Sequence, residues 1–427
     1  MTLPEEFTTY TRPLMGEDRF ARFLDALAQP APVSIRVNPF KAVAQPALED
    51  DAERVAWCRG GYYLDSRPAF TFDPQLHAGA YYVQEASSMF IDHVVRQFVH
   101  APVTALDLCA APGGKTTCLR AALPAGSRLY SNEPHPKRAQ ILAENVVKFG
   151  HPDVVVTNNY AIDYQRAGLR FGLILADMPC SGEGMFRKDP ESIGEWSTAN
   201  VEKCAALQRS ILADIWPCLL PGGLLIYSTC TYNAHENEEN LAFAVEELGA
   251  EAIAIPVEES WQVVGPLAGT IPICRFIPGA TRGEGLAVGL LRKPETAADH
   301  PGSNQGKPRC EQTLRILSDG VKPPVVKGKK VLPDVSQALT IGTADNPYPR
   351  VDVGYDEAIA YLRRESITLP SSAPKGLVTV CHNGFALGFA KNLGSRANNL
   401  YPQEWRIRTT HRPETRPVVP LTPIIHP

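Results

Sequence analysis

Three apolar stretches constrain this chain more than any other feature. Each ends abruptly at polar, glycine- or cysteine-bearing residues: VTALDLC before AAPGGKT, LILAD before MPCSGEG, and GLLIYST before CTYNAHENEE. Strands buried on both faces read as continuous apolar runs, and in an open α/β sheet their carboxyl ends line one crevice where ligands bind. Residues 103–240 therefore outline a pocket. The first strand delivers a glycine loop to it, and the other two deliver Cys180 and Cys230.

The surrounding pattern fits such a sheet. Further strands are expected at SRLYSNE and VVVTNN, and amphipathic helices at GKTTCLRAAL and PKRAQILAENVVKFG. Strands alternating with helices imply parallel β-α-β units. CRFIPGATRGEGLAVGLLRK reads as two more strands, antiparallel. Upstream, residues 1–98 form a small α/β unit: a helix carrying Phe20, Phe23, Leu24 and Leu27, a strand at PVSIRVNPFK, a strand at GGYYLDS, and a helix from Glu85 onward. KPETAADHPGSNQGKPRCEQ is rich in Pro, Gly and polar residues and reads as a linker over residues 294–312. Beyond it, residues 313–427 read as a helix, a hairpin-rich small β domain and a Pro-rich strap. The expected fold class is α/β: a Rossmann-like doubly wound sheet over residues 99–293, with that N-terminal unit and a C-terminal β domain.

Composition excludes several alternatives. With 427 residues the chain needs more than one core. No apolar run has the length to span a bilayer, and the N-terminus carries acids where a signal peptide needs a basic flank, so a cytoplasmic location is expected. The ten cysteines contain no C-x-x-C pair, so neither a zinc site nor a disulfide framework is indicated. His235-Glu236 lacks a second histidine where Glu239 stands, so no metal is expected there and HENEE reads as the start of a helix with a solvated acidic face. The net charge of −4 confines nucleic-acid contacts to local basic faces. One is offered by Lys391, Arg396, Arg406, Arg408, Arg412 and Arg416, against Glu404 and Glu414. Tyr401 and Trp405 nearby suit backbone contact with base stacking.

The glycine loop does not match a phosphate-binding pattern. A P-loop needs a glycine five positions before Gly114, where Cys109 stands; the dinucleotide pattern G-x-G-x-x-G also fails. What remains is a turn at Gly113 and Gly114 that permits close backbone approach, with Glu133 ending the next strand where ribose hydroxyls are held in this fold class. A nucleoside ligand without a pyrophosphate fits, which is S-adenosylmethionine; a glycine turn followed by a solvated acid also fits the spacing.

Cysteine is among the most buried residue types, so position alone sets Cys180 and Cys230 apart. Thiols in such a pocket have a chemical use. C5 of a pyrimidine is too weak a nucleophile to take a methyl group from a sulfonium. A thiolate adding at C6 gives C5 enamine character. Asp177, beside Cys180, is placed to stabilise charge developing on the ring.

Together these segments resemble the RNA cytosine-5 methyltransferases of the bacterial rRNA and eukaryotic NOL1/NOP2/Sun group. CAAPGGKT, SNEPHPKR, DMPCSGEG with FRKDP, and YSTCTYNAHENEE match family motifs in the family's order. RVNPFK, YYVQEASSM and RFIPGATRGEG match further ones, so matched segments cover most of residues 34–293. GFALGFAKNLGSRANNLYP looks like the PUA-type RNA-binding domain of the branch that methylates 16S rRNA. The resemblance implies Cys230 as nucleophile and Cys180 as the group assisting product release. It implies cofactor contacts from Cys109, Ala110, Ala111, Pro112, Gly113, Gly114, Lys115, Glu133, Arg138 and Asp177. The family's adenine-side acid falls on Tyr160, with Asn159 or Asp163 as substitutes; Asp163 is taken as the cofactor contact. The implied function is S-adenosylmethionine-dependent 5-methylcytidine formation in RNA, on 16S rRNA, by a monomer. The alternatives are a tRNA substrate, or a ribosome-assembly RNA-binding protein without turnover.

Overall fold

The computed structural model describes residues 2–295, 313–328, 330–342, 346–411 and 413–424. From residue 296 on, the expected linker lies outside the described residues, as do Arg412 of the basic run and the end of the Pro-rich tail.

At the centre is one nine-stranded sheet. Its strands are β1 (Thr104–Asp107), β2 (Arg128–Asn132), β3 (Val154–Thr157), β4 (Phe171–Asp177), β5 (Leu219–Thr229), β6 (Glu251–Ile253), β7 (Cys274–Phe276), β8 (Leu286–Arg292) and β9 (Ile316–Asp319). The order is β6-β8-β5-β4-β1-β2-β3-β9, with β7 also paired to β8. Strands β1 to β5 are mutually parallel, and β8 runs antiparallel to β5. From β1 the chain builds outward through β2 and β3, then returns to place β4 on the other side of β1. That reversal opens a crevice above the ends of β1 and β4. Leu106, Ile174 and Leu225 are buried on one face of the sheet and Ala105, Leu175 and Ile226 on the other, which is why these strands carry no polar alternation.

Among the helices flanking the sheet are α1 (Gly114–Ala122), α2 (Pro136–Phe149), α3 (Ala161–Ala167), α4 (Thr198–Ile215) and α5 (Glu238–Glu246). Helix α2 starts with proline at its first turn and stops at Gly150, whose φ of +82° no β-carbon would favour. The edge strand β9 comes from beyond residue 313, so the catalytic sheet draws on a segment the sequence reading gave to the C-terminal region. It pairs antiparallel with β3 and covers an edge whose backbone groups would otherwise stay open.

The N-terminal unit has two jobs visible in its contacts. Helices Glu5–Met15 and Glu17–Leu27 bury Phe7, Phe20 and Phe23 against Phe186, Trp196 and Tyr232, which follow β4 and β5. Its three-stranded sheet centres on Val33–Val37, paired with Gly61–Leu64 and Tyr81–Val83. RVNPFK follows from that strand as a lock onto the central domain. Arg36 Nη2 donates to Thr117 Oγ1 (2.5 Å), Asn38 Nδ2 to Gly79 O and Phe149 O, and Lys41 Nζ to Ala78 O and Lys148 O. The helix expected from Glu85 begins only at Phe90; Glu85 instead accepts the backbone N–H groups of Ser87 and Ser88.

The C-terminal domain is a four-stranded sheet, Arg350–Asp352, Gly376–His382, Phe385–Asn392 and Ala397–Asn399, with helix Tyr355–Leu362 packed on it. Its core is continuous with that of the N-terminal sheet: Ile35, Val37 and Tyr81 share one cluster with Val351, Val380 and Leu387. The Pro-rich tail closes the arrangement. Leu421–Pro423 pairs with Ala42–Ala44, and Val419 N donates to buried Asp73. Tyr401, expected to offer a stacking face, is buried in this core against Tyr361, because the domain needs large apolar side chains to fill it. Trp405 is half-buried, with Lys148 Nζ 5.3 Å from its ring centre.

Candidate active site

The glycine loop leaves β1 at Asp107 and enters α1 at Gly114. Gly113 adopts φ +115°, a left-handed conformation that glycine alone takes without strain. The loop is held from its flanks: Ala110 N donates to Asn132 O, Arg138 Nη2 to Ala111 O (3.0 Å), and Asn145 Nδ2 to Pro112 O (2.8 Å). Beneath it Asp107 is fully buried. Its Oδ2 accepts from Thr116, and its Oδ1 has no partner among the described residues. Burial pushes the Asp107 carboxyl up to about 7, the Thr116 hydrogen bond opposing and nearby Asp177 adding to the rise.

Glu133 directly follows β2 and is almost entirely buried. Its Oε1 accepts the His135 N–H, and its Oε2 faces Arg138 at 3.5 Å. Cys109 lines the same wall, its thiol raised well above the ordinary range by burial and then by Asp177 and Asp107, so it stays protonated. This set fits S-adenosylmethionine: close-approach backbone at Gly113 and Gly114, a carboxylate at the second strand end for ribose hydroxyls, and an unpartnered acceptor below the loop.

Asp163 does not join this wall. Its Oδ2 accepts the Tyr160 N–H and its Oδ1 pairs with Arg166 (3.2 Å), so it caps α3. Asn159 is also committed elsewhere, bonded in both directions to the backbone of Arg315. Tyr160 itself is 69% exposed.

The two thiols meet. Cys180 Sγ lies 3.1 Å from Cys230 Sγ. Register brings them there, since Asp177 pairs with Ser228 across β4 and β5, Cys180 lies three residues past the end of β4 and Cys230 directly follows β5. Asp177 accepts from Ser228 Oγ (2.7 Å) on one oxygen and pairs with Lys115 Nζ (3.0 Å) on the other. Burial works against charge on Lys115, but Asp177 outweighs it and lifts the ammonium above its usual value. Lys115, expected among the cofactor contacts, is thus tied to Asp177 and acts electrostatically on Cys230. Cys180 is raised well above the ordinary thiol range, first by its contact with Cys230 and then by burial, so it keeps its proton.

Buried carboxylates hold both cysteine loops. Glu183 accepts from Tyr232 N, Asn233 N and Nδ2, and Trp196 Nε1. Glu236 is fully buried and accepts from Ser181 N and Oγ, Gln208 Nε2 and Asn233 Nδ2. Glu238 pairs with buried Arg275. HENEE is therefore not a solvated face: two of its acids anchor the loop after Cys230, and only Glu239 is solvent-facing, beside His235. Gly184 is needed where the loops touch, for a β-carbon there would sit 2.8 Å from the carbonyl oxygens of Cys230 and Gly285. Arg187, from FRKDP, joins Glu284 (3.0 Å), Gly283 O and Ala26 O. Sequence reasoning passed over Glu183, Glu236, Glu238 and Arg187 as site residues. Their signal was membership in the matched segments DMPCSGEG, FRKDP and YSTCTYNAHENEE, with acids clustered around the two cysteines.

Sheet order, glycine loop and strand-end acids define a Rossmann-like methyltransferase whose methyl donor is S-adenosylmethionine. Three family descriptions match along the chain: "16S rRNA methyltransferase RsmB/F" over residues 100–292, "N-terminal domain of 16S rRNA methyltransferase RsmF" over 3–86, and "Methyltransferase RsmF PUA domain" over 348–407. The chain belongs to the RsmB/F methyltransferase family. Among its relatives, the ribosomal RNA small subunit methyltransferase F of Enterobacter sp. (strain 638) is 27% identical over 94% of this chain and 95% of its own length. The protein of the same name from Escherichia coli O9:H4 is 32% identical over 68% of this chain and 64% of its own. Of solved structures, a methyltransferase homologue from Pyrococcus horikoshii is similar, at 25% identity and TM-score 0.59, over 68% of this chain and 95% of that one.

Proposed function

We propose that this chain forms 5-methylcytidine in 16S rRNA through a covalent bond between Cys230 and C6 of the target cytosine. One observation carries the reading: two thiols 3.1 Å apart beside an Asp177–Lys115 pair at the cofactor crevice. When bound, S-adenosylmethionine supplies an electrophilic methyl group. The residues of the chain do the rest. Lys115, held by Asp177, lies within electrostatic reach of the Cys230 sulfur, which adds as thiolate to C6 and makes C5 nucleophilic. Asp177, fixed by Ser228 and Lys115, accepts a hydrogen bond from the cytosine amino group and orients the base, while the Lys115 ammonium beside it offsets the negative charge that addition puts on the ring. Once C5 is methylated, its proton passes to solvent water and the C5–H electron pair re-forms the C5–C6 double bond as the sulfur–C6 bond breaks, returning Cys230 as thiolate. Cys180 lies next to the departing sulfur, where it assists that elimination. In this reading residues 1–98 position the RNA, residues 99–293 carry the reaction, and residues 313–427 hold the RNA at a distance from the target. An rRNA substrate, named for the relatives, goes with a cytoplasmic location, and the chain acting as a monomer is part of the same proposal.

The test uses full-length chain with 16S rRNA and labelled cofactor. Cys230→Ala should abolish methyl transfer and adduct while still binding S-adenosylmethionine. Cys180→Ala should accumulate a protein–RNA adduct on denaturing gels. Full activity of Cys230→Ala, or adduct trapped by that variant, rejects the assignment. Bisulfite mapping names the modified nucleotide, and labelling of tRNA in place of rRNA would replace the substrate.

A further inference from the structure

Two pairs of cysteine side chains meet among the described residues, and they differ in exposure. Cys58 and Cys118 interact in the core, where both are buried. Cys180 and Cys230 stand 3.1 Å apart, sulfur to sulfur, and each residue remains partly exposed. Addition to a base requires a free Cys230 sulfur; contact with a second thiol is not part of that step. A covalent link needs a sulfur–sulfur separation of about 2.0 Å, so the pair has to close by roughly 1 Å. The loops carrying the two residues are tied to one another, because Glu236, in the loop after Cys230, accepts from Ser181 N next to Cys180. Side-chain rotation is then enough to bring the sulfurs together.

The two thiols also differ from each other in the way an oxidant-driven pair requires. Cys230 has Lys115 within electrostatic reach, and the thiolate is the form that attacks an oxidant. Cys180 keeps its proton, held up by contact with Cys230 and by burial, which makes it a poor first target. A crevice that admits cytosine C6 to the Cys230 sulfur also admits hydrogen peroxide, a smaller molecule. We propose that Cys180 and Cys230 form a reversible redox switch, closing to a disulfide when the chain meets a hydroperoxide and stopping methyl transfer until a thiol reductant reopens it. The Cys230 thiolate attacks a peroxide oxygen, the O–O bond breaks, hydroxide or alkoxide leaves, and the sulfur becomes a sulfenic acid. The Cys180 sulfur then attacks the Cys230 sulfur, the S–O bond breaks, and the Cys180 proton leaves with the hydroxyl as water. Two electrons have passed from the thiol pair to the peroxide. An external dithiol returns them by exchange through a mixed disulfide. The link spares Cys230 from sulfinic acid, which thiols do not reduce, and transient disulfides of this kind are the ones found in reducing compartments.

The loss of methyl transfer rests on the reading of Cys230 as nucleophile; the link itself does not, and the test separates the two. Full-length chain is treated with hydrogen peroxide, capped with N-ethylmaleimide, digested without reductant and read by mass spectrometry. Peptides joined through Cys180 and Cys230 should appear, two hydrogens lighter than the free thiols, while Cys58 and Cys118 stay unjoined. Methyl transfer to 16S rRNA should fall in proportion to the joined fraction and return when dithiothreitol is added. In Cys180→Ser the oxidised Cys230 has no partner to resolve it, so the same treatment should carry it to sulfinic acid, two oxygens heavier and beyond recovery by dithiothreitol. Should that variant fail to fold, the peptide map of the parent chain still decides. Cys230 found as sulfinic acid in the parent, with Cys180 capped, overturns the switch, and so does treatment that leaves both thiols free. A joined chain that methylates at the parent rate overturns the shut-off. No link, with Cys230→Ala inactive, sinks the switch and leaves the catalytic reading; a link, with Cys230→Ala fully active, sinks the catalytic reading and leaves the disulfide.

Discussion

Glu236→Ala tests the scaffold around the two thiols. The carboxylate is fully buried and accepts from Ser181 N (3.0 Å), Ser181 Oγ (2.5 Å), Gln208 Nε2 (2.7 Å) and Asn233 Nδ2 (2.9 Å). Alanine strands three N–H donors in the interior; the hydroxyl can turn elsewhere. Each unsatisfied donor costs about 1–3 kcal/mol, and relaxation trims the sum, so a loss of roughly 3–5 kcal/mol is expected. At about 2–4 °C per kcal/mol for a domain of this size, the methyltransferase transition should fall by roughly 6–20 °C in calorimetry. The damage should also be local. Hydrogen exchange at residues 178–186 and 229–237 should quicken more than in β1 or β2, because Glu236 joins the loop after Cys180 to the loop after Cys230. Methyl transfer should drop on the order of 100-fold as the Cys180–Cys230 geometry loosens. A loss below about 1 kcal/mol, with exchange unchanged in both loops, would refute the idea that this carboxylate holds the site.

Further outcomes follow from neighbouring groups. Gly184→Ala should destabilise the chain by about 1–3 kcal/mol and slow the reaction, since both atoms its β-carbon meets are backbone; a melt matching the parent contradicts this. Asp107 binds its proton more tightly folded than unfolded, so its contribution is complete below about pH 4 and is lost as pH rises through about 7. Asp107→Asn should flatten stability across that window in pH-stepped denaturation, and an unchanged slope would refute it. Iodoacetamide near neutral pH should alkylate Cys230 before Cys180, whose proton is held; mass spectrometry of the two peptides reads the order. Asn38→Ala should cost roughly 1–3 kcal/mol, for two carbonyls at 2.8 and 2.9 Å lose their donor, and protease cutting between the first two units should accelerate.

Much of the site was legible because it sits on strand ends. VTALDLC, LILAD and GLLIYST are apolar over the length of a strand and then break, so the chain order of the Gly113 loop, Asp177, Cys180 and Cys230 is local information. That these positions share one edge follows from the rule that parallel strands in such sheets point the same way. RVNPFK was legible as a strand end, but its work was not. Arg36, Asn38 and Lys41 bond partners up to 111 residues away, and no local pattern encodes that distance.

Long-range burial decided the rest. Glu183, Glu236 and Glu238 look like surface acids in any window of the chain, and only the packed loops surround them with donors. Tyr401 resembles a stacking residue beside basic neighbours until a core shared by two domains closes over it. Asp163 stands near the expected adenine acid in sequence, yet the start of α3 claims its carboxylate. The sequence by itself determined the sheet, the glycine turn and which two cysteines reach the crevice, because periodicity and strand termination are properties of short segments. Tertiary structure alone decided the 3.1 Å between their sulfurs and the commitment of Lys115 to Asp177. Such distances arise where segments far apart in the chain meet, and burial there sets which polar groups must find one another.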